Sequence, residues 1–415
     1  MHLHPIIAAL VRHKSRAMLI TLQIAITLAI VSNALFIFSY HTQRLDRSTG
    51  IAENRILFVG TEHTGLKTDT AAEKSTVEAS IRADLAALRQ LPSVEDAYET
   101  NSISISNINR GVGLSLQPNS RPNARATFFN ADNHALSTLG IRLVAGRNFN
   151  SDEVSAQGQF DNISPAVTIV SKALADKLFP AGDALGKQVY FTSATQPSTI
   201  IGIMETLQGS SSYAWSDGST WNSVLIPSLM VEASRYYVVR GKNGASDALK
   251  KDVASALYAQ DPQRVLSGGM GTTSISNFAE IRRAAYRDDR GVMMMMAAVC
   301  VILLSVTTAG IVGLTSFWVS QRRKQIGVRR AFGATRADIA GYFLLENAFV
   351  SAVGVVLGAG LAFALNNYLM KEFELARMAV GNVLVGAAVL MLIGQMAALA
   401  PALGATRVSP SEVIR

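Results

Sequence analysis

The sequence predicts an α+β membrane protein, with four transmembrane helices and a large extracytoplasmic α/β domain held between the first and the second. Three observations carry this. The chain is 49% hydrophobic and only 16% charged, too apolar for an ordinary soluble domain and too polar for membrane helices alone. Its apolar residues gather in one block near the amino end and three more after Gly291. Between these lie about 250 residues of globular composition, enough for one large or two small aqueous domains.

The first block, residues 17–38, contains no charged residue and exceeds the roughly 20 residues a spanning helix needs. Arg12, Lys14 and Arg16 precede it, as they would a signal peptide. Its apolar core is longer than a signal's and no A-x-A cleavage site follows, so it reads as an uncleaved anchor. The other blocks predict spans at 292–319, 339–370 and 379–402, with Trp318 and Tyr368 at interface positions. Basic residues lie in segment 1–16, in the loop 320–338 and, as Arg407 and Arg415, in the tail 403–415. Short basic segments stay cytoplasmic. Four spans place all three on that side, so the protein is expected in the cell inner membrane with both termini in the cytoplasm and residues 39–290 outside, in the periplasm if the cell is Gram-negative.

Within the exported part, two stretches share one order of elements. Strand 55–59, amphipathic helix 75–91 and strand 94–105 make the first; strand 235–240, helix 245–258 and strand 264–266 make the second. Each helix stops just before a proline, Pro92 or Pro262, which cannot continue it. Two βαβ halves, about 50–105 and 225–275, predict a split ferredoxin-type sandwich. Residues of about 106–224 are then an inserted, mainly β subdomain, with strands at 166–170, 188–191 and 199–203 and a helix at 172–179. Residues 277–290 read as a stalk helix. Loop 208–221, rich in Ser, Gly and aromatics, reads as flexible. Its Tyr213, Trp215 and Trp221 are candidates to touch a partner or substrate, or else to anchor a solvated loop.

The net charge of +8 lies largely beside the spans, where it sets orientation, so no nucleic-acid partner is inferred. The one cysteine, Cys300, falls in the second span, leaving the exported domain without a disulfide. No catalytic residue is assigned. The nearest phosphate-loop lookalike, Gly182 to Lys187, is one residue short between its glycines and lacks the following Ser or Thr. His2, His4 and His13 have no partner ligands in sequence and read as interface residues, so no metal site and no cofactor of this chain is expected.

The distinctive segment is the acid-free run 321–336, with Arg322, Arg323, Lys324, Gly327, Arg329, Arg330, Gly333, Thr335 and Arg336. Folded as a surface helix, it offers charge-assisted hydrogen bonds to acidic groups of a partner, or fixes topology and binds anionic lipid. Its glycines permit close approach or a helix end. Glu346, inside the third span, is costly there unless paired or functional. Pairing with Arg330, Arg336 or a helix-end donor is expected, with a proton relay as the alternative. Gly354 and Gly358 form a G-x-x-x-G face for helix packing within or between subunits.

One helix, a large exported domain and three further helices, in that order, resemble the MacB-like branch of the FtsX-type ABC transporter permeases, the four-helix mechanotransmission type. Segment 321–336 is similar to that family's cytoplasmic loop. Segments 139–147, 170–180 and 185–187 resemble its exported domain; 400–402, 407–410 and 412–415 resemble its carboxyl end. The resemblance implies a non-catalytic permease subunit, working as a homodimer or heterodimer with a cytoplasmic ABC ATPase that binds ATP and Mg. Loop 322–336 would be the coupling contact. Helices one and two would extend outward as a stalk, about 39–47 and 277–290, and pass ATP-driven closure to the periplasm for export or efflux. A periplasmic adaptor and an outer-membrane channel are further candidate partners. MacB carries its ATPase fused ahead of the first helix, whereas about 16 residues precede Ala17 here, so the motor is expected in another chain. The alternative is a membrane-anchored sensor or scaffold whose outer domain binds a ligand or partner without transport.

Overall fold

The uncharged first block lies within one continuous helix, α1 (Lys14–Leu45), whose last turn carries Arg44, a favourable charge at a helix carboxyl end. The structure, a computed structural model, describes residues 14–63, 68–108, 110–158, 162–267, 275–373 and 377–406, with backbone alone for 14–16, 214, 215, 217, 267 and 373. Two compact units result, one of residues 45–288 and the other of the chain on either side.

In the exported unit, β1 (Ile56–His63) leads to α2 (Ala71–Gln90) and β2 (Val94–Thr100). The helix begins earlier than its apolar spacing indicates because Thr70 caps it. The Thr70 hydroxyl accepts from the Glu73 amide at 3.2 Å, and the Glu73 carboxylate accepts from the Thr70 amide at 2.9 Å. Strand β2 stops at Thr100 instead of continuing to Ile105, whose φ of 53° is left-handed and incompatible with a strand.

An insertion follows: β3 (Gly111–Ser115), β4 (Ala124–Ala131), α3 (Ala135–Leu139), β5 (Leu143–Gly146), β6 (Ser155–Gln157), β7 (Val167–Ser171), α4 (Lys172–Leu178), β8 (Gln188–Phe191), β9 (Ser198–Met204) and β10 (Ser223–Met230). The strand order is β4-β3-β8-β9-β7-β10-β6, with β5 on β9, and β4 also pairs with β10. Six strands thus close on themselves, which removes their open edges. The insertion therefore runs from 101 to 233, beyond the expected 106–224. Strand β10 is buried at all eight positions and shows no alternation by which to place it, so only its pairing with β4 and β7 assigns it here.

The second half supplies β11 (Ser234–Gly241), α5 (Asp247–Gln260), β12 (Arg264–Ser267) and β13 (Ile275–Asn277). The first sheet runs β12-β1-β11-β2, with β13 also on β1, and each pair is antiparallel. This is the order of two interleaved βαβ halves. Alternate residues serve opposite faces. Leu57, Val59, Tyr237 and Val239 pack under α2 and α5, while Ile56, Phe58, Tyr98 and Val238 pack against Phe129, Ile169 and Leu225 of the insertion.

A buried polar layer lies between the sheet and its helices. Asp84 on α2 accepts two bonds from Arg264, at 2.7 and 2.9 Å, and one from the Tyr237 hydroxyl at 2.7 Å. Arg235 donates to Ser80 at 2.7 Å and to His63 Nε2 at 2.6 Å, while His63 Nδ1 lies 2.7 Å from Asp261. Glu99 on β2 accepts from the Met230 amide at 3.0 Å. Burial pushes its carboxyl up to about 8 from the ordinary 4.5, with Met230 and Arg235 opposing the rise. The folded state therefore keeps a proton that the unfolded chain releases. The stabilisation is full below pH 4.5 and is lost as pH rises through about 8. Glu99→Gln is expected to flatten this alkaline loss and raise the melting temperature at pH 8 by several degrees. Thermal unfolding of the detergent-solubilised protein from pH 5 to 9 checks this, and an unchanged pH profile would refute it.

The expected single stalk helix over 277–290 is two helices, α6 (Phe278–Ala285) and α7 (Arg287–Gln321), broken at Tyr286. The Tyr286 side chain is buried in the exported core, and that commitment interrupts the helix. After α7 come α8 (Arg323–Ala331), α9 (Arg336–Phe373) and α10 (Val380–Ala405). Among the described residues, four helices are long and apolar enough to cross a membrane: 17–45, 287–321, 336–372 and 380–405. Polar bonds join them, as expected where no hydrophobic force separates helix from lipid. Thr27 meets Thr307 at 2.8 Å, Asn33 donates to the Ala362 carbonyl at 3.1 Å, and Asn347 donates to the Gly394 carbonyl at 3.1 Å.

Candidate functional site

The basic segment 321–336 folds as a short helix bounded on both sides. Arg322 (φ −98°, ψ 10°) breaks the chain away from α7, and α8 ends at Phe332. Gly333 follows at φ +92°, the left-handed position that favours glycine after a helix. Its amide donates to the Arg330 carbonyl at 3.1 Å, as does the Ala334 amide to Arg329 at 3.1 Å. Thr335 then caps α9: its hydroxyl donates to the Asp338 carboxylate at 2.6 Å and accepts from the Asp338 amide at 3.2 Å.

The inner side of α8 is packed. Ile326 and Gly327 are buried, with Ile326 among Val319, Ile339, Phe343, Ala402 and Ala405. Arg322 points into the helices: Nη1 donates to Glu346 at 2.9 Å, and the guanidinium lies 5.8 Å from the Trp318 ring centre. Arg330 donates to the Thr406 carbonyl at 3.2 Å, and Arg329 lies over the Tyr342 ring at 4.9 Å. Glu346 thus pairs with the helix-end donor among the three expected alternatives, Arg322 between α7 and α8, and not with Arg330 or Arg336. The turn at Arg322 brings its side chain back to α9, whereas Arg330 is directed to the end of α10 and Arg336 is exposed.

Facing outward are Arg323, Lys324, Gly333, Thr335 and Arg336, and Arg329 is exposed above Tyr342. With them stand two apolar residues that charge counting overlooks, Val328 at 51% exposed and Phe332 at 88%. Their spacing of four puts them on one helical face, a signal present in the sequence but masked by the surrounding arginines.

Gly354 and Gly358 meet α1 within the same chain. A Cβ on Gly354 would lie 2.9 Å from the Ile24 side chain, and one on Gly358 would lie 2.9 Å from the Ala25 carbonyl oxygen. The 208–221 loop is tied down, contrary to its flexible reading. Gln208, Ser210, Ser212, Ser216 and Thr220 are buried, Ser212 donates to the Ala285 carbonyl at 3.0 Å, and the Gly209 amide bonds the Thr220 carbonyl at 2.8 Å. Its serines are short and polar, but Ser211, Ser212, Ser216 and Ser219 find their hydrogen bonds within the protein. Tyr213 is exposed. Trp221 carries Arg47 at 5.9 Å and lines a cleft of 840 Å³ with Arg142, Lys172, Asp176 and Glu205. The Trp215 side chain lies outside the described residues, as do His2, His4, His13, Arg407 and Arg415. Among the described residues no group of His, Cys, Asp or Glu is placed to hold a metal.

Residues 18–256 match the family described as MacB-like periplasmic core domain, and residues 296–410 match FtsX-like permease C-terminal. The chain belongs to the MacB-like, FtsX-type permeases. It is 27% identical over 413 residues to the macrolide export ATP-binding/permease protein MacB 1/2 of Paracoccus denitrificans, covering 97% of this chain and 57% of that protein. It is 25% identical over 346 residues to a probable export ATP-binding/permease protein of Pseudomonas fluorescens, covering 82% and 49%. The chain spans about half the length of these relatives. Among solved structures, the periplasmic region of MacB from Actinobacillus actinomycetemcomitans is 16% identical, with a TM-score of 0.34, covering 58% of this chain and 96% of that one. As a member of this family the permease is a multi-pass inner-membrane protein, and α8 falls within its FtsX-like part.

Proposed function

We propose that this permease couples a cytoplasmic ABC ATPase, which binds the ATP and Mg, to conformational work in its exported unit, for export or efflux. The observation that carries the reading is α8 itself. Its inner face is fixed by Ile326, Arg322 and Arg330, while its outer face presents Val328 and Phe332 amid Arg323, Lys324 and Arg336. An apolar knob ringed by cations fits an apolar groove with an acidic rim. Cytoplasmic placement of α8, and with it of both termini, follows from its charge. A pair of permease chains with their ATPases, an adaptor and an outer-membrane channel complete the proposed assembly.

A buried aromatic anchor at an interface is worth about 2 kcal/mol or more. Phe332→Ala combined with Arg323→Ala and Lys324→Ala is therefore expected to weaken ATPase co-purification by roughly 30-fold or more. Full ATPase retention by the correctly inserted triple variant would sink the reading, and would leave lipid binding and topology as the work of these charges.

A further inference from the structure

We propose that the Arg322–Glu346 ion pair is the positioning contact that makes α8 and α9 move as one body, so that a push received at α8 is handed to α9 and from there to α1. The proposal rests on the docking reading above and assigns the residues that pass its motion on.

The pair is placed at a joint. Arg322 is the residue between α7 and α8, and Glu346 lies about three turns into α9. The Glu346 side chain is 2% exposed and that of Arg322 16%. Buried ion pairs are weak contributors to stability, and apolar replacements of similar size are often neutral or better, so packing alone gives little reason for a carboxylate here. What the pair adds is direction. The contacts of Ile326 are apolar and indifferent to orientation, Arg330 ties the far end of α8 to the end of α10, and Arg329 only overlies the Tyr342 ring of α9. A charge-assisted bond of 2.9 Å fixes the angle between the two helices.

Helix α9 is in turn locked to α1, since Gly354 and Gly358 bring it against the backbone of Thr21 and Ala25. Helix α1 runs unbroken to Leu45. Near the outer ends of α1 and α7, Asp289 accepts from Arg44 at 3.2 Å and lies 2.7 Å from His41. A tilt of α8 that reaches α1 is therefore readable as a change of distance between these two ends.

The test uses the full chain with its ATPase in lipid nanodiscs, with Cys300→Ser and spin labels at Gln43→Cys and Arg290→Cys, both exposed positions. Two quantities are read: the ATPase retained on the purified permease, and the ATP-dependent shift in label distance. Glu346→Gln and Arg322→Gln are expected to retain the ATPase while the shift falls about five-fold or more. Arg322→Lys, which keeps the charge, is expected to preserve most of it, and the swap of Arg322→Glu with Glu346→Arg to recover at least about half. The proposal is overturned by a native-sized shift in Glu346→Gln, by an Arg322→Lys variant as inactive as Arg322→Gln, or by native protein that holds its ATPase but shows no shift. Native protein that retains no ATPase overturns instead the docking reading beneath it, before any variant is compared.

Discussion

Arg264→Met is expected to destabilise the exported unit by about 3–5 kcal/mol, the cost of leaving a buried charge without its counter-ion. Asp84 and Arg264 each have side chains only 1% exposed. With Arg264 gone, the Asp84 carboxylate retains the Tyr237 hydroxyl but loses the cation that donates to both of its oxygens. Because the pair joins α2 to β12, one from each βαβ half, its loss also loosens the halves from each other. Adding Asp84→Leu removes the stranded charge and should return stability to within about 2 kcal/mol of native. Chemical denaturation of the full chain in detergent measures both. A single variant within about 1 kcal/mol of native, or a double no better than the single, contradicts the assignment.

The neighbouring His63 makes the same layer sensitive to acid. Burial, then Arg235 and Arg264, hold its pKa below the ordinary 6.5. The folded state keeps it neutral, so the stabilisation is present above pH 6.5 and declines as pH falls below it. His63→Gln should lessen this acid loss, which the same denaturation series run between pH 5 and 7 would show.

The second large effect is expected at the seam between α1 and α9. Gly358→Leu should cost about 2–3 kcal/mol of bundle stability. A Cβ there meets the Ala25 carbonyl oxygen at 2.9 Å and the Leu28 Cβ at 2.9 Å. Both sit on or next to helix backbone, which cannot swing aside as a long side chain would. The helices must separate, and close packing is what holds them together in lipid. Gly360 provides the control, because its added Cβ would meet open space beyond the backbone of its own helix. Gly360→Leu should melt like native protein in detergent. Equal melting of the two leucine variants would refute the seam.

How far each of these sites was legible depends on whether its signal is local. Hydropathy alone marks the four spans, because a spanning helix satisfies its own backbone and needs only a run of apolar residues. The two βαβ halves were legible from strand and helix periods and from Pro92 and Pro262. Strand β10 was not, being buried at every position, and neither was the closed ring of strands that its pairing with β4 completes. The serines of the 208–221 loop misled for a related reason: composition marks residues that need hydrogen bonds but not whether water or protein supplies them.

At the basic helix the division is sharpest. The sequence by itself determined that a cationic, glycine-bounded segment joins two spans, and that a carboxylate is buried nearby. Only the tertiary structure decided that Arg322 turns inward to Glu346, that Arg330 closes on Thr406, and that Phe332 is left outermost. Charge and hydropathy belong to residues one at a time, whereas the direction a side chain faces is set by the turn at Arg322 and by helices brought together from distant parts of the chain.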